Sequence, residues 1–288
     1  MARRIDHLVV AVHDLDRATD FYRRLGFRPG VRNIHPWGTE NRLVQMRSAF
    51  IELIAIGKDV ASIRPHTMRF FSFGAFVRGF LDRREGLAML VLDSDDAKAD
   101  AARFEREGIG SFTPLYLQRK GSTPDGNEID VAFTLAFAHT FEAPLTGFFV
   151  CQHQTPEQFW NPLFQSHPNG ATGLGAVTFA AAEPERFRRF LLAFTDGDPT
   201  HQTRDNLTFR LSDSDLAVVT PHDAAALYGP VEAEPDEPSF AGYSVVVEDL
   251  PAQARRLDAE GIPFREIGSR MVVPASAAFG VAIAFEAP

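Results

Sequence analysis

The chain repeats one pattern four times, and that repetition limits its fold more than any other feature. Ile5 to Val12 (IDHLVVAV) is an apolar run suited to a buried strand. Asp14 follows as a helix cap, Leu15 to Leu25 keep helical spacing, and Gly26 supplies the stop. The pattern returns after Gly86 (LAMLVLD), with a polar start at Ser94-Asp95-Asp96, a helix through Glu107 and then Gly108. It returns at Leu174 (LGAVTFA), where Glu183-Pro184-Glu185 opens a helix and Gly197 follows it. It returns again at Gly242 (GYSVVVED), with Pro251 in the first helical turn and Gly261 after Glu260.

Strand-like segments follow each helix. They are Arg42 to Met46 and Phe50 to Ile56; then Leu115 to Arg119, Ile129 to Phe137 and Gly147 to Gln152. In the second half they are Leu207 to Leu211, Leu216 to Thr220, Met271 to Pro274 and Val281 to Phe285. Arg47-Ser48 and Pro124-Asp125-Gly126 carry turn chemistry between them. The predicted fold is therefore α+β, built of four βαβββ modules. One module cannot cover its own sheet, so modules one and two should pair, as should three and four, each pair with a curved mixed sheet. The expected domains are 1–153 and 174–288, joined by a linker at 154–173 rich in Pro, Asn and Gly. His66 to Arg84 lies outside the repeat and is predicted to be helical in part.

Composition then removes several function classes. A formal charge of -9, with scattered basic residues such as Arg103, Arg106 and Arg119, argues against nucleic acid or an anionic membrane as partner. The start has no signal-like apolar stretch, because Asp6 and His7 interrupt it, and no run reaches the ~20 apolar residues of a membrane span. A single cysteine, Cys151, permits no intrachain disulfide, and a cytoplasmic location is expected. A glycine-rich phosphate loop, a Gly-x-Ser-x-Gly elbow, HExxH and CxxC are all missing, so no nucleotide cofactor is expected. The 26 phenylalanines cluster around 70–80 and 133–164, where they either fill a wide core or line an apolar pocket.

The opening IDHLVVAVHDLDRATDFYRRLGF, then HPWGTENRLVQM and FIELIAI, resemble the vicinal oxygen chelate superfamily, in its glyoxalase-like branch. FSFGAFVRGFLDRREGLAML and FFVCQHQTPEQFWNPLFQSHPNGA are similar to one bacterial group within that branch. The resemblance implies two domains of paired modules, each forming a cup. It also implies a divalent metal held by a His of a module's first strand and a Glu of its last, with substrate oxygens chelating the metal.

The residues can be weighed against that implication. Strand alternation places Ile5, His7, Val9 and Ala11 on one face, and Phe50, Glu52 and Ile54 on another. A carboxylate in an apolar row is costly unless it is paired or bound to a cation. His7 and Glu52 are ordinary ligands for Zn, Ni, Mn or Fe, or they simply hydrogen-bond to each other or to an Arg. His153, from the last strand of module two, is the expected third ligand or else a rim histidine. Cys151 beside it is a ligand or a small buried hydrophobe. Leu87, Ala176, Gly242 and Ala284 stand at the positions matching His7 or Glu52 elsewhere, with the module-three counterpart of Glu52 among Leu216 to Val219. The second half is therefore expected to lack ligands, unlike extradiol dioxygenases of similar layout. His35, Thr39, Asn41 and Arg42 either face a substrate from the cup rim or build a hairpin turn around Gly38.

The expected function is that of a metal-dependent lyase, isomerase or dioxygenase acting on a small substrate with vicinal oxygens, with Glu52 as ligand or catalytic base. A metal-free binding or sequestering protein of the same fold is the alternative. A small-molecule substrate is the expected partner, and a homodimer is compatible with either reading.

Overall fold

In the computed structural model, which describes residues 3–122, 126–230 and 237–288, the four modules are all present. Module one is β1 (Ile5–Ala11), α1 (Leu15–Arg24), β2 (Asn33–Ile34), β3 (Thr39–Gln45) and β4 (Phe50–Ile56). A helix α2 (Phe73–Leu81) leads to module two: β5 (Gly86–Asp93), α3 (Ala97–Glu107), β6 (Leu115–Ser122), β7 (Glu128–Ala138) and β8 (Gly147–His153). A short α4 (Pro156–Phe159) precedes module three, with β9 (Ala171–Ala180), α5 (Arg188–Thr195), β10 (His201–Gln202), β11 (Asn206–Arg210) and β12 (Asp215–Val219). Helix α6 (Pro221–Tyr228) leads to module four: β13 (Ser239–Val247), α7 (Leu250–Ala259), β14 (Arg265–Ile267), β15 (Arg270–Val273) and β16 (Ala282–Glu286).

Two eight-stranded sheets result, in the orders β2-β3-β4-β1-β5-β8-β7-β6 and β10-β11-β12-β9-β13-β16-β15-β14. The first strands of partner modules meet antiparallel at the centre, β1 on β5 and β9 on β13, while each pairs parallel with its own module's last strand. This is the expected pairing of one with two and three with four. No helix among the described residues is long and apolar enough to cross a membrane.

Local signals account for most helix ends. Asp14, Asp96 and Asp249 cap α1, α3 and α7 by accepting backbone N–H groups of the first turn. Gly108 closes α3 in the left-handed region at φ 71. After α5 the stop is Asp196, at φ 58, and not Gly197. A short carboxylate side chain tolerates that conformation better than most. The expected turn at Pro124-Asp125 lies outside the described residues.

Alternation sends each sheet's two faces to different cores. The convex faces, with Leu8 and Val10 of β1 and Val177 and Phe179 of β9, join the helices in one apolar core shared by both halves. Phe148 touches Phe179, Phe190, Phe194 and Phe240 across that junction, and the Tyr22 and Tyr243 hydroxyls meet at 2.6 Å. The concave face of the first sheet holds a second, phenylalanine-rich cluster, and that of the second sheet a third made largely of alanines. The excess of phenylalanine thus both fills the shared core and lines a cup.

Candidate functional site

The first cup begins with an irregularity in β1. The β1–β5 register shifts between Ile5 and His7. A bulge of this kind re-aims side chains. Ile5 joins the convex core, and the fully buried Asp6 turns inward beside His7. The face assigned from strict alternation was therefore wrong for Ile5 and missed Asp6. From His7 onward the alternation holds, with Val9 and Ala11 in the cup.

Asp6 is the hub beneath the floor. Its two oxygens take one imidazole each, His7 Nδ1 at 2.6 Å and His153 Nε2 at 2.7 Å. Burial alone would raise the Asp6 pKa. The charge of His153 and the hydrogen bonds from both histidines more than reverse it and hold the carboxyl well below its usual range. An anionic Asp6 accepts, so His7 donates from Nδ1 and presents Nε2 to the cup. The His7 ring stacks on Phe50 at 4.2 Å and meets the edge-on Phe149 at 5.4 Å, which fixes its plane.

Glu52 lies opposite, with Oε2 3.8 Å from His7 Nε2. Asn41 donates to its other oxygen. Burial raises the Glu52 pKa, and the charge of His7, the Asn41 hydrogen bond and the charge of Arg119 offset this only in part. Asn41 is held on all sides: it faces His35 Nε2 at 3.3 Å and accepts from Asn33 at 2.9 Å. His35 bonds Thr39 Oγ1 at 2.8 Å and stacks on Trp37. Burial, with the nearby charge of Arg119, pushes His35 down to about 3, so it is neutral and able to accept from Asn41. Of the four residues expected at the rim, His35 and Asn41 line the cavity, and Thr39 supports them from a fully buried position. Arg42 does not face the cup: β3 alternation turns it away, and it donates to the Gly30 carbonyl at 2.8 Å.

The cavity, about 60 Å³ in volume and open on one side, is walled by Trp37, Phe50, Phe73, Phe133, Phe149 and Phe159. Phe159 comes from the segment expected to be a linker; beyond linking, that segment closes one wall. Arg119 enters from β6, on the same inward row as Leu117. Its half-buried guanidinium has no hydrogen-bond or ion-pair partner among the described residues. In the sequence it passed for one scattered basic residue. The signal that could have revealed it is an Arg in the inward row of an alternating strand.

Helix caps and strand register together identify the module-two counterparts of His7 and Glu52: His7 stands seven residues before the α1 cap Asp14, as Met89 does before the α3 cap Asp96. His7 pairs with Phe50 and Val9 with Glu52, as Met89 pairs with Gly147 and Val91 with Phe149. The antiparallel pairs His7–Val91, Leu8–Leu90 and Val9–Met89 obey the same symmetry. Met89 therefore matches His7, and Phe149 matches Glu52. Leu87 instead belongs to the convex core. His153 lies farther along β8, on the same row as Phe149 and Cys151 and packed edge-on against Phe133 and Phe159, with its Nδ1 buried and unpartnered among the described residues.

These donors can be tested against a metal. At the four matched positions the cup offers one imidazole, one carboxylate, a thioether and a phenyl ring. That falls short of the three protein ligands of a catalytic zinc site, and Arg119 already directs positive charge toward Glu52. Ligating atoms of Asp6, Cys151 and His153 lie within 4.8 Å of one another. Both Asp6 oxygens are already engaged by imidazoles, however, and burial, with the charges and hydrogen bond of nearby carboxylates, pushes the Cys151 thiol pKa well up. A hydrogen-bonded relay describes that cluster better than an ion site. The residues present do not fit a resident ion held as the resemblance implies.

The tandem modules and their cup define a protein of the vicinal oxygen chelate superfamily. A family model described as a glyoxalase-like domain matches residues 5–195, and the chain belongs to that family. No curated protein matches it in sequence. Among solved structures, a hypothetical protein from Staphylococcus aureus is similar at TM-score 0.69 and 14% identity, covering 99% of this chain and 100% of that one. A mutant of 4-hydroxymandelate synthase from Streptomyces coelicolor is similar at TM-score 0.60 and 13% identity, over 99% of this chain and 92% of that one. A Mn(II)-bound glyoxalase from Novosphingobium aromaticivorans is similar at TM-score 0.55 and 12% identity, over 99% and 82%. At these identities the likeness concerns fold alone.

Proposed function

We propose that the first cup is the active site of an enzyme that moves a proton on a small, partly aromatic substrate with adjacent oxygens, an isomerase or lyase reaction. The observation that supports this best is Glu52, a buried carboxylate facing open cavity space with its pKa raised. A protein that only sequesters apolar compounds has no use for such a group, whose burial is costly. A carboxylate tuned upward is suited to take and return a proton near neutral pH.

In this reading Glu52 Oε2 accepts a proton from the carbon next to a substrate carbonyl. Asn41 holds the other oxygen and so aims the carboxylate. The negative charge that develops on the substrate oxygen is met by the Arg119 guanidinium. His7, held in plane by Asp6 and Phe50, shuttles the proton at Nε2. The aromatic walls exclude water from the reacting carbon. No step passes through a metal. Dioxygenase chemistry is supported less well, because it calls for an ion with more protein donors than this cup offers.

The test follows exchange of carbon-bound hydrogen with deuterium oxide by NMR, using 2-hydroxyacetophenone and 1-hydroxy-1-phenylacetone as probes. The parent protein is expected to exchange the α-hydrogen, and Glu52→Gln to lose that activity while keeping its circular dichroism. Exchange unaffected by Glu52→Gln, or no exchange by the parent, overturns the enzyme reading in favour of a binding protein. Exchange that tracks stoichiometric bound metal and is lost on chelation overturns its metal-free part.

A further inference from the structure

A second cavity of about 60 Å³ adjoins the first, and the two share Leu43, Arg119 and Phe159 as lining. Its remaining walls are mostly apolar, with Val31, Ile129, Val131 and Phe164 among them. Among the described residues Arg119 is thus the only charged one lining it, and it stands at the junction. The guanidinium carries five N–H donors, and no carboxylate among the described residues lies within ion-pairing distance of it. Glu52 acts on it only through charge at longer range.

We infer that the two cavities form one elongated site for an amphipathic monoanion. An aromatic head fills the phenylalanine cup, a carboxylate pairs with Arg119 at the waist, and an apolar extension occupies the second cavity. Three features of the molecule favour this ligand over a small neutral one. A guanidinium matches a planar carboxylate with two parallel hydrogen bonds. Neither cavity alone accounts for a cation at the boundary of two apolar compartments. Apart from Arg119, the polar side chains described in the extension's compartment are Asn33 and Gln45, and Gln45 is already bonded to the Phe159 carbonyl at 2.9 Å. Gly121 helps keep the space open: a Cβ there would stand 3.4 Å from the Arg119 guanidinium. The inference deepens the proposed function by naming its substrate class, yet it is tested by binding and not by turnover.

The experiment titrates the intact chain with aryl carboxylates substituted at the α carbon by alkyl chains of increasing length, 2-phenylpropanoate to 2-phenyldecanoate, and with their primary amides. Calorimetry reads the affinity, and the fluorescence of Trp37, which lines the cup, and of Trp160, packed against Phe159, reports occupancy. The acids are expected to bind at least tenfold more tightly than the amides, and affinity to rise with chain length. Arg119→Gln should remove the preference for acid over amide. Val31→Trp, at a residue 57% exposed on the rim, should abolish the gain from chain length and leave 2-phenylpropanoate unchanged. Glu52→Gln should bind the acids at least as well as the parent, so failure of the proton-transfer reading leaves these results intact. Equal affinity for acids and amides, an unaltered preference in Arg119→Gln, or affinity independent of chain length in the parent overturns the inference.

Discussion

The two cups of this molecule share strand order and register but differ in what fills them. The first has His7 and Glu52 on its floor and open space above them. At the corresponding register positions the second has Ala176, Ala217, Gly242 and Ala284. Helix α6 also lies over its sheet, and the Tyr228 ring packs where a side chain on Gly242 would stand: a Cβ there would come within 2.5 Å of the ring. The Tyr228 hydroxyl faces Thr178 at 3.2 Å, and Arg270 covers the ring. One copy of the fold keeps a costly buried carboxylate. The other has small residues at the matched positions and a plug above them, with the nearby carboxylate of Glu286 accepting from Ser244, and it contributes its convex face to the shared core. The fold by itself therefore specifies a cup; whether the cup is a site depends on a handful of inward positions.

The comparison breaks most sharply at Glu52. If the first cup alone is catalytic, Glu52→Gln should lower α-hydrogen exchange by about 10²–10⁴-fold, the range for a positioned acid–base group. Ala284→Ser, at the matching position of the second cup, should leave exchange unchanged, and an equal loss in both variants would place chemistry in the second half as well.

Next in size is the relay beneath the first cup. Asp6→Ala leaves two buried imidazoles without their anion. A hydrogen bond to a charged group contributes about 1.5–3 kcal/mol, so with two such bonds lost urea unfolding should register a decrease of at least that order. The Asp6 contribution is present above the unfolded carboxylate value of 3.8 and is lost as pH falls through its lower folded value. The parent's acid unfolding should accordingly move to higher pH in the variant. No shift would mean that the relay carries little stability.

The second cup offers a smaller test. Gly242→Val places a branched side chain against the Tyr228 ring and should cost about 1–3 kcal/mol by overpacking. Thermal unfolding would show it, with exchange activity intact. A fully tolerated valine would mean that α6 is not a fixed plug.

The smallest expected effect concerns pH and Glu52. Its folded pKa lies above the unfolded value of 4.5, so the folded state binds the extra proton between the two. Stability of the parent should therefore fall as pH rises through that interval, and Glu52→Gln should lose this slope and be the more stable protein at neutral pH. Melting temperatures of both proteins from pH 4.5 to 8 measure the difference. A parent more stable than the variant at neutral pH would mean that the carboxylate is paired well enough to support the fold.

How much of this was legible beforehand depends on how local each feature is. The four modules could be read because strand, cap, helix and stop are written in consecutive residues. His7 and Glu52 could be matched because alternation is a property of the extended backbone itself. The emptiness of the second cup could be read for the same reason, from Ala176, Gly242 and Ala284. Alternation failed at Ile5 and Asp6, since the bulge there arises from pairing with β5, about eighty residues away in the chain, and not from β1 alone. Counting residues likewise chose Leu87, whereas alignment on the equivalent helix caps Asp14 and Asp96 chose Met89. Arg42 was misjudged because a turn-rich stretch hides where the strand begins, and one residue of phase exchanges the two faces.

Sequence by itself determined the modules, their pairing and the half of the chain that carries polar groups at the floor of a cup, because those follow from short-range periodicity and chain connectivity. Only tertiary structure decided that Asp6 joins two histidines, that Arg119 reaches Glu52's cup from β6, that Phe159 closes a wall and that Tyr228 closes the other cup. Each of those depends on sheet curvature and on which distant segments it brings within a few ångströms, and no local pattern encodes such distances.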